Sequence, residues 1–131
     1  MNKNVRIAKE LVRLAKSFVA ETYDGNHVVY DENDKVCWIS CRMYLGRFFL
    51  GGEEGIKSNV SKMSESVKSN FSLFAGECEK RGFSIKKIDE SPIFDPSSTM
   101  IEASMRLELL EGDSNSLFEI ARSLGLQFSR S

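Results

Sequence analysis

The order of elements in this chain predicts an α+β fold, and three observations carry that prediction. Residues 36–130 read strand, helix, strand, strand, helix, strand. Both helical stretches run into glycine and then into an alternating segment: Cys78-Glu79-Lys80-Arg81-Gly82-Phe83-Ser84-Ile85 and Arg122-Ser123-Leu124-Gly125-Leu126-Gln127-Phe128. The longer helix carries one continuous apolar stripe. This order is that of the ferredoxin-like split βαβ motif (βαββαβ), a four-stranded antiparallel sheet with two helices on one face. The fold hosts many unrelated activities, so function has to be argued from side chains.

Ahead of that unit, residues 4–21 predict an amphipathic helix. Ile7, Leu11, Leu14 and Phe18 recur at helical spacing, flanked by Ala8, Val12, Ala15 and Val19. Together they form a wide apolar stripe. Arg6, Lys9, Arg13 and Lys16 form a basic stripe on another face, with Glu10 one turn from Arg6 and Arg13. Tyr23-Asp24-Gly25-Asn26 stops the helix with turn chemistry. The chain therefore divides into an N-terminal helix, 1–22, and a single α+β domain, 23–131.

His27-Val28-Val29-Tyr30 reads as a short strand, and Asp31-Glu32-Asn33-Asp34 as a polar turn. Residues 35–45 alternate. Cys37, Ile39, Cys41, Met43 and Leu45 point one way, and Val36, Trp38, Ser40, Arg42 and Tyr44 the other. The two strands are expected to form a hairpin. A ferredoxin-like sheet has no vacant place beside its first strand, so an extra hairpin strand must displace the last strand or bend away.

Gly46 to Gly55 is a glycine-rich connection holding Phe48-Phe49-Leu50 and the acidic pair Glu53-Glu54. The long helix follows, with Ile56, Val60, Met63, Val67, Phe71, Phe74 and Cys78 on one stripe and Gly82 as its left-handed cap. Residues 83–88 predict a short strand, and 89–98 a loop punctuated by Pro92 and Pro96. Residues 99–111 predict a long strand. Ile101, Ala103, Met105, Leu107 and Leu109 face its core, while Met100, Glu102, Ser104, Arg106 and Glu108 face outward. Asp113 caps a helix over 114–124 that buries Leu117, Phe118, Ile120, Ala121 and Leu124, and 126–130 close the sheet.

Composition narrows the function classes. The 131 residues are 41% hydrophobic and 28% charged, within the ordinary range of a soluble globular domain. A formal net charge of −1 argues against a general polyanion binder. The charge is unevenly placed: residues 1–22 hold Lys3, Arg6, Lys9, Arg13 and Lys16 against Glu10 and Glu21, a basic arm on an acidic body. Three cysteines, an odd number without a CxxC pair, fit a reducing, cytoplasmic compartment better than a secreted disulfide scaffold. No apolar run approaches the roughly 18 residues of a membrane span, and the first 20 residues lack the uninterrupted apolar core of a secretory signal.

Candidate chemistry is sparse. His27 is the only histidine and has no ligand-spaced partner in sequence, so it reads as a partly exposed strand-edge residue. Cys37 and Cys41 lie on one strand face about 13 Å apart, too far for a disulfide or a shared metal. Glu53 and Glu54 at the start of the long helix would repel phosphate, so the glycines before them are no phosphate cradle. Asp31-Glu32-Asn33-Asp34 lacks the glycine and glutamate of a calcium loop. No catalytic residue, cofactor or metal is expected.

The outward sheet face is more informative. Trp38, Arg42 and Tyr44 are expected beside Met100, Ser104 and Arg106, the positions at which ferredoxin-like RNA-binding modules stack bases. The RNP1 pattern is absent, residues 99–109 contain no aromatic, and Glu102 and Glu108 oppose phosphate. Cover by the N-terminal helix or by a second subunit is favoured for Trp38 and Tyr44, because large apolar patches are rarely left open.

Val5-Arg6-Ile7-Ala8-Lys9-Glu10-Leu11-Val12-Arg13-Leu14-Ala15-Lys16 resembles the opening helix of many small proteins of large tailed bacteriophages. The resemblance covers under a fifth of the chain and implies a virion or accessory protein without catalysis. The reading is thus a non-enzymatic interaction or assembly protein, homo-oligomeric or bound to another protein, located in the cytoplasm or in a virion. Its contact residues are Leu11, Leu14, Phe18, Trp38, Arg42, Tyr44 and Arg106. The alternative is a nucleic-acid-binding module that uses Trp38, Arg42, Tyr44 and Arg106.

Overall fold

A computed structural model describes residues 24–131. The helix expected over 4–21, with Leu11, Leu14 and Phe18, lies outside the described residues. Over the described residues the fold is α+β, built from a mixed six-stranded sheet and three helices.

The expected hairpin is present. Strands β1 (Gly25–Asp31) and β2 (Val36–Tyr44) pair antiparallel, with Val28 opposite Ile39 and Tyr30 opposite Cys37. The turn closes because the Asp31 carboxylate accepts the Asn33 and Asp34 backbone N–H groups at 3.0 and 3.3 Å. Lys35 takes the left-handed conformation there, with φ of 57°.

After β2 the chain forms a single helical turn, α1 (Leu45–Phe48), which sinks Phe48 into the core and leaves Phe49 and Leu50 exposed. Of the expected Phe48-Phe49-Leu50 plug, then, only Phe48 plugs the core. Gly51 at φ of 90° starts α2 (Gly52–Lys80), with Glu53 and Glu54 in its first turn, where the helix dipole favours carboxylates. Asn59 reaches back from α2 to donate to the Arg47 and Phe48 carbonyls at 3.3 and 2.9 Å, satisfying groups that α1 leaves open.

The predicted stripe of α2 is its packed face. Met63, Val67, Phe71, Phe74 and Cys78 are buried, and Ile56 and Val60 pack partly against them. At its end the Phe83 N–H bonds the Cys78 carbonyl at 3.0 Å and the Gly82 N–H bonds the Glu79 carbonyl at 3.1 Å. Gly82 sits at φ of 88°, completing a Schellman cap with Phe83 buried beyond it.

Strand β3 (Ser84–Lys87) runs along one half of the long strand β5 (Met100–Glu111). The other half of that edge is taken by β4 (Ile93–Pro96), inside a segment read from sequence as loop. Proline is tolerated on an edge strand, so Pro92 and Pro96 hid a real strand. Asp113 accepts the Asn115 N–H at 3.0 Å and opens a 3-10 turn (Ser114–Ser116) that leads into α3 (Leu117–Ser123). Leu117, Ile120 and Ala121 are buried as expected, but Phe118 is exposed and packs edge-on against Phe128. This helix repeats the same cap, with Leu126 N–H to Ala121 carbonyl at 2.9 Å and Gly125 N–H to Arg122 carbonyl at 3.0 Å.

The last strand, β6 (Gln127–Arg130), does not join β2. The sheet order is β3-β5-β2-β1-β6, with β1 lying between β2 and β6 and pairing with β6 in parallel. The expected four-stranded antiparallel sheet is therefore replaced by a six-stranded mixed one. The hairpin strand takes the position beside β2, and β6 is moved one place outward. The core lies between one sheet face and α2 with α3, where Val28, Tyr30, Cys37, Ile39, Met43, Ala103, Met105, Leu107 and Leu109 meet the helices. Burial of each large apolar side chain there contributes about 1.5–3 kcal/mol.

Candidate interaction surface

Strand alternation sends every second side chain of β1, β2 and β5 to the face away from α2 and α3. Register assembles them into rows across three strands. Val29, Trp38 and Arg106 form one row, and His27, Ser40 and Ser104 the next. Arg42 then stands opposite Glu102, and Tyr44 opposite Met100. The structure thus brings Trp38, Arg42, Tyr44 and Arg106 onto one face, in the neighbour relations expected from sequence.

This face is far more closed than an open sheet surface. Met100 is 2% exposed, Ser40 2%, His27 3%, Ser104 4%, Arg42 5% and Val29 8%. Val29 and Met100 do not belong to the core cluster that α2 and α3 cover. His27 corrects an expectation: it is buried on an interior strand flanked by β2 and β6, because β1 is not at the sheet edge. Sequence reasoning also missed the buried polar row of His27, Ser40 and Ser104. Small polar residues at alternating positions look solvent-facing until register aligns them.

Both arginines of the face are tied to carboxylates. Arg42 Nε donates to Glu102 Oε2 at 2.5 Å across the β2–β5 pair. Its Nη1 and the Ser40 hydroxyl are closed off from water, without a hydrogen-bond partner among the described residues. The Arg106 guanidinium lies 5.2 Å from the Trp38 ring centroid, a cation–π distance. It also forks onto Asp89, Nε to Oδ2 at 2.9 Å and Nη2 to Oδ1 at 3.0 Å.

Asp89 has a second task. β4 pairs with residues 101–104 of β5 and β3 with 107–111, so Arg106 falls in the gap between two edge strands. Asp89 Oδ2 accepts the Arg106 backbone N–H at 3.0 Å, and the Arg106 carbonyl accepts the Ile88 N–H at 3.0 Å. A side chain thus stands in for a missing strand residue. The hydrogen bonds from Arg106 hold the Asp89 carboxyl below the usual carboxylate range, against the opposing effect of its burial.

Burial pushes the Cys37 and Cys41 thiols upward and that of Cys78 to about 12, so none is poised as a thiolate at neutral pH. Among the described residues, no group of three or more His, Cys, Asp or Glu side chains could hold a metal ion. Among the described residues, no helix is long and apolar enough to cross a membrane. A shallow groove between α1 and α2 is lined by Met43, Arg47, Leu50, Ser58, Asn59 and Lys62.

No protein-family model matches the chain, and neither does any curated protein or solved structure.

Proposed function

We propose that this chain is a non-enzymatic interaction or assembly protein whose working surface is the sheet face opposite α2 and α3. One observation carries the reading: on that face Tyr44 stands 45% exposed and Trp38 is half-buried, aromatic surface open to a partner beside a row of buried side chains.

The chemistry of the face favours protein over nucleic acid. Phosphate recognition needs cationic groups with donors to spare. Arg42 is buried and paired through Nε with Glu102, so its remaining donors do not reach solvent, and Arg106 holds Asp89 through Nε and Nη2. What remains is apolar or small: Val29, Trp38, Tyr44 and Met100. The likeness of residues 5–16 to small tailed-phage proteins adds a virion or accessory setting. The element order also supports a finer reading of the fold, a ferredoxin-like unit opened by one inserted strand between its first and last strands.

Trp38→Ala tests the reading. Replacing the largest side chain of the face is expected to abolish association while helical circular dichroism is retained, measured by light scattering after size exclusion. Unfolding of the variant would make Trp38 a core residue and sink the proposal. Salt-sensitive binding of single-stranded oligonucleotides by the wild type would favour the nucleic-acid alternative instead.

A further inference from the structure

We infer that this chain self-associates through two different surfaces, the exposed tip Phe49-Leu50 of one copy seating on the Trp38 patch of a second. This rests on the docking-face reading above and names both the patch and its occupant.

The patch is wider than its aromatic residues. Register sets Ile93 opposite Ser104, and so on the outer face. Lys86 stands opposite Glu108, and two residues further on the Ile88 N–H bonds the Arg106 carbonyl at 3.0 Å, so alternation brings Ile88 to that face as well. Ile88 and Ile93 are both exposed. They stand where the edge passes from β3 to β4, with the Arg106–Asp89 pair between them and half-buried Trp38. A tryptophan ringed by open aliphatic side chains, beside an ion pair already satisfied, is the composition of an interface centre.

The occupant comes from α1. Phe48 enters the core, but Phe49 stays 56% and Leu50 73% exposed, with Glu53 and Glu54 exposed just beyond them. The tip cannot cover its own patch. It belongs to a turn packed on the helix-covered side, where Phe48 is buried and Asn59 holds the Arg47 and Phe48 carbonyls. Trp38 faces the opposite side, six residues up β2 from Tyr44 and so about 20 Å away. The contact is therefore between copies. Charge agrees with it. Lys86 and Lys87 are exposed at the margin of the patch, as Glu53 and Glu54 are behind the tip, and none of the four makes an ion pair among the described residues. A tip seated beside Trp38 sets the two carboxylates against the two ammonium groups. Such a contact is heterologous, and exchanged reciprocally it closes as a twofold dimer.

Light scattering after size exclusion, on the full chain over a range of concentrations, tests this, with the emission of Trp38, the single tryptophan, read in parallel. The wild type is expected above the monomer mass. Phe49→Ser/Leu50→Ser is expected to be a monomer, its dissociation constant raised about 100-fold or more, with helical circular dichroism kept and Trp38 emission at longer wavelength. On the other surface, Lys86→Glu/Lys87→Glu should weaken association about 10-fold, and by less in high salt. The tip variant and Trp38→Ala, each monomeric alone, should pair when mixed at high concentration, since one brings the patch and the other the tip. If the tip variant loses helical signal, Leu50→Ser alone is read for the same changes at smaller amplitude. Wild-type mass in the tip variant overturns the inference, as does a mixture that fails to pair; if Trp38→Ala is then monomeric by itself, the docking-face reading stands without it. Wild-type mass in Trp38→Ala overturns both. A wild type that is monomeric at every concentration overturns the inference and leaves the face to a different protein.

Discussion

At the scale of single residues, Asp89 shows how one carboxylate can do the work of a strand. Its two oxygens satisfy the Arg106 guanidinium and the Arg106 backbone N–H, at the point where the edge passes from β4 to β3. Asp89→Ala leaves both donors without their partner and is expected to lower stability by about 2–3 kcal/mol, read from urea unfolding. Asp89→Asn keeps an acceptor but loses the charge, and should cost about half as much. The pH dependence has a defined sign. The folded carboxyl titrates below its unfolded value, so its contribution is complete above the unfolded pKa, near 3.9, and is lost as pH falls through the folded one. The stability gap between wild type and Asp89→Asn should therefore be constant from pH 5 upward and shrink in acid. A gap unchanged at pH 2.5 would mean the ion pair is not its source.

At the scale of elements, the sequence was most legible where local chemistry decides the outcome. The α2 stripe, the Asp113 cap and the two glycine stops follow from spacing and from the φ each position needs, and they stand where periodicity put them. Legibility failed where a partner strand decides. β4 exists because β5 offers it a free edge, and β6 lies beside β1 because β1 has taken its place at β2. Two glycines separate these influences by experiment. Gly112 follows β5 at φ of +138°, and a Cβ there would stand 2.3 Å from the buried Phe83 ring. Gly112→Ala is expected to cost about 2–4 kcal/mol, through backbone strain and displacement of Phe83. Gly76 lies on the exposed side of α2 with nothing within 4 Å of a Cβ, so Gly76→Ala should stabilise by about 0.5–1 kcal/mol. Thermal unfolding of the pair reads both signs. Equal shifts would mean that packing around Phe83 is looser than its burial implies.

At the scale of the whole molecule, the sheet has two sides with different characters. The helix-covered side is a dry apolar core, and its alternation was plain in the sequence. The other side was readable only as a set of outward positions, because its character comes from register: rows of polar, aromatic and ion-paired side chains drawn from three strands. The cysteines report on the first side. Cys37 and Cys78 are fully buried in the core, while Cys41 is only partly so. Burial raises the thiol pKa in the folded state, so the folded chain resists ionisation that the unfolded chain undergoes near pH 8.5. Stability should then be complete below that pH and decline as it rises further. A thiol reagent at pH 8 is expected to modify Cys41 first, through local opening. Cys37 and Cys78 should follow together, at a rate that tracks global unfolding and rises with urea in step with loss of helical signal. Because β2 carries Cys37 and α2 carries Cys78, their joint labelling tests whether sheet and helix open as one unit. If Cys78 is labelled well before Cys37, α2 detaches while the sheet persists, and the two layers are less cooperative than their shared core implies.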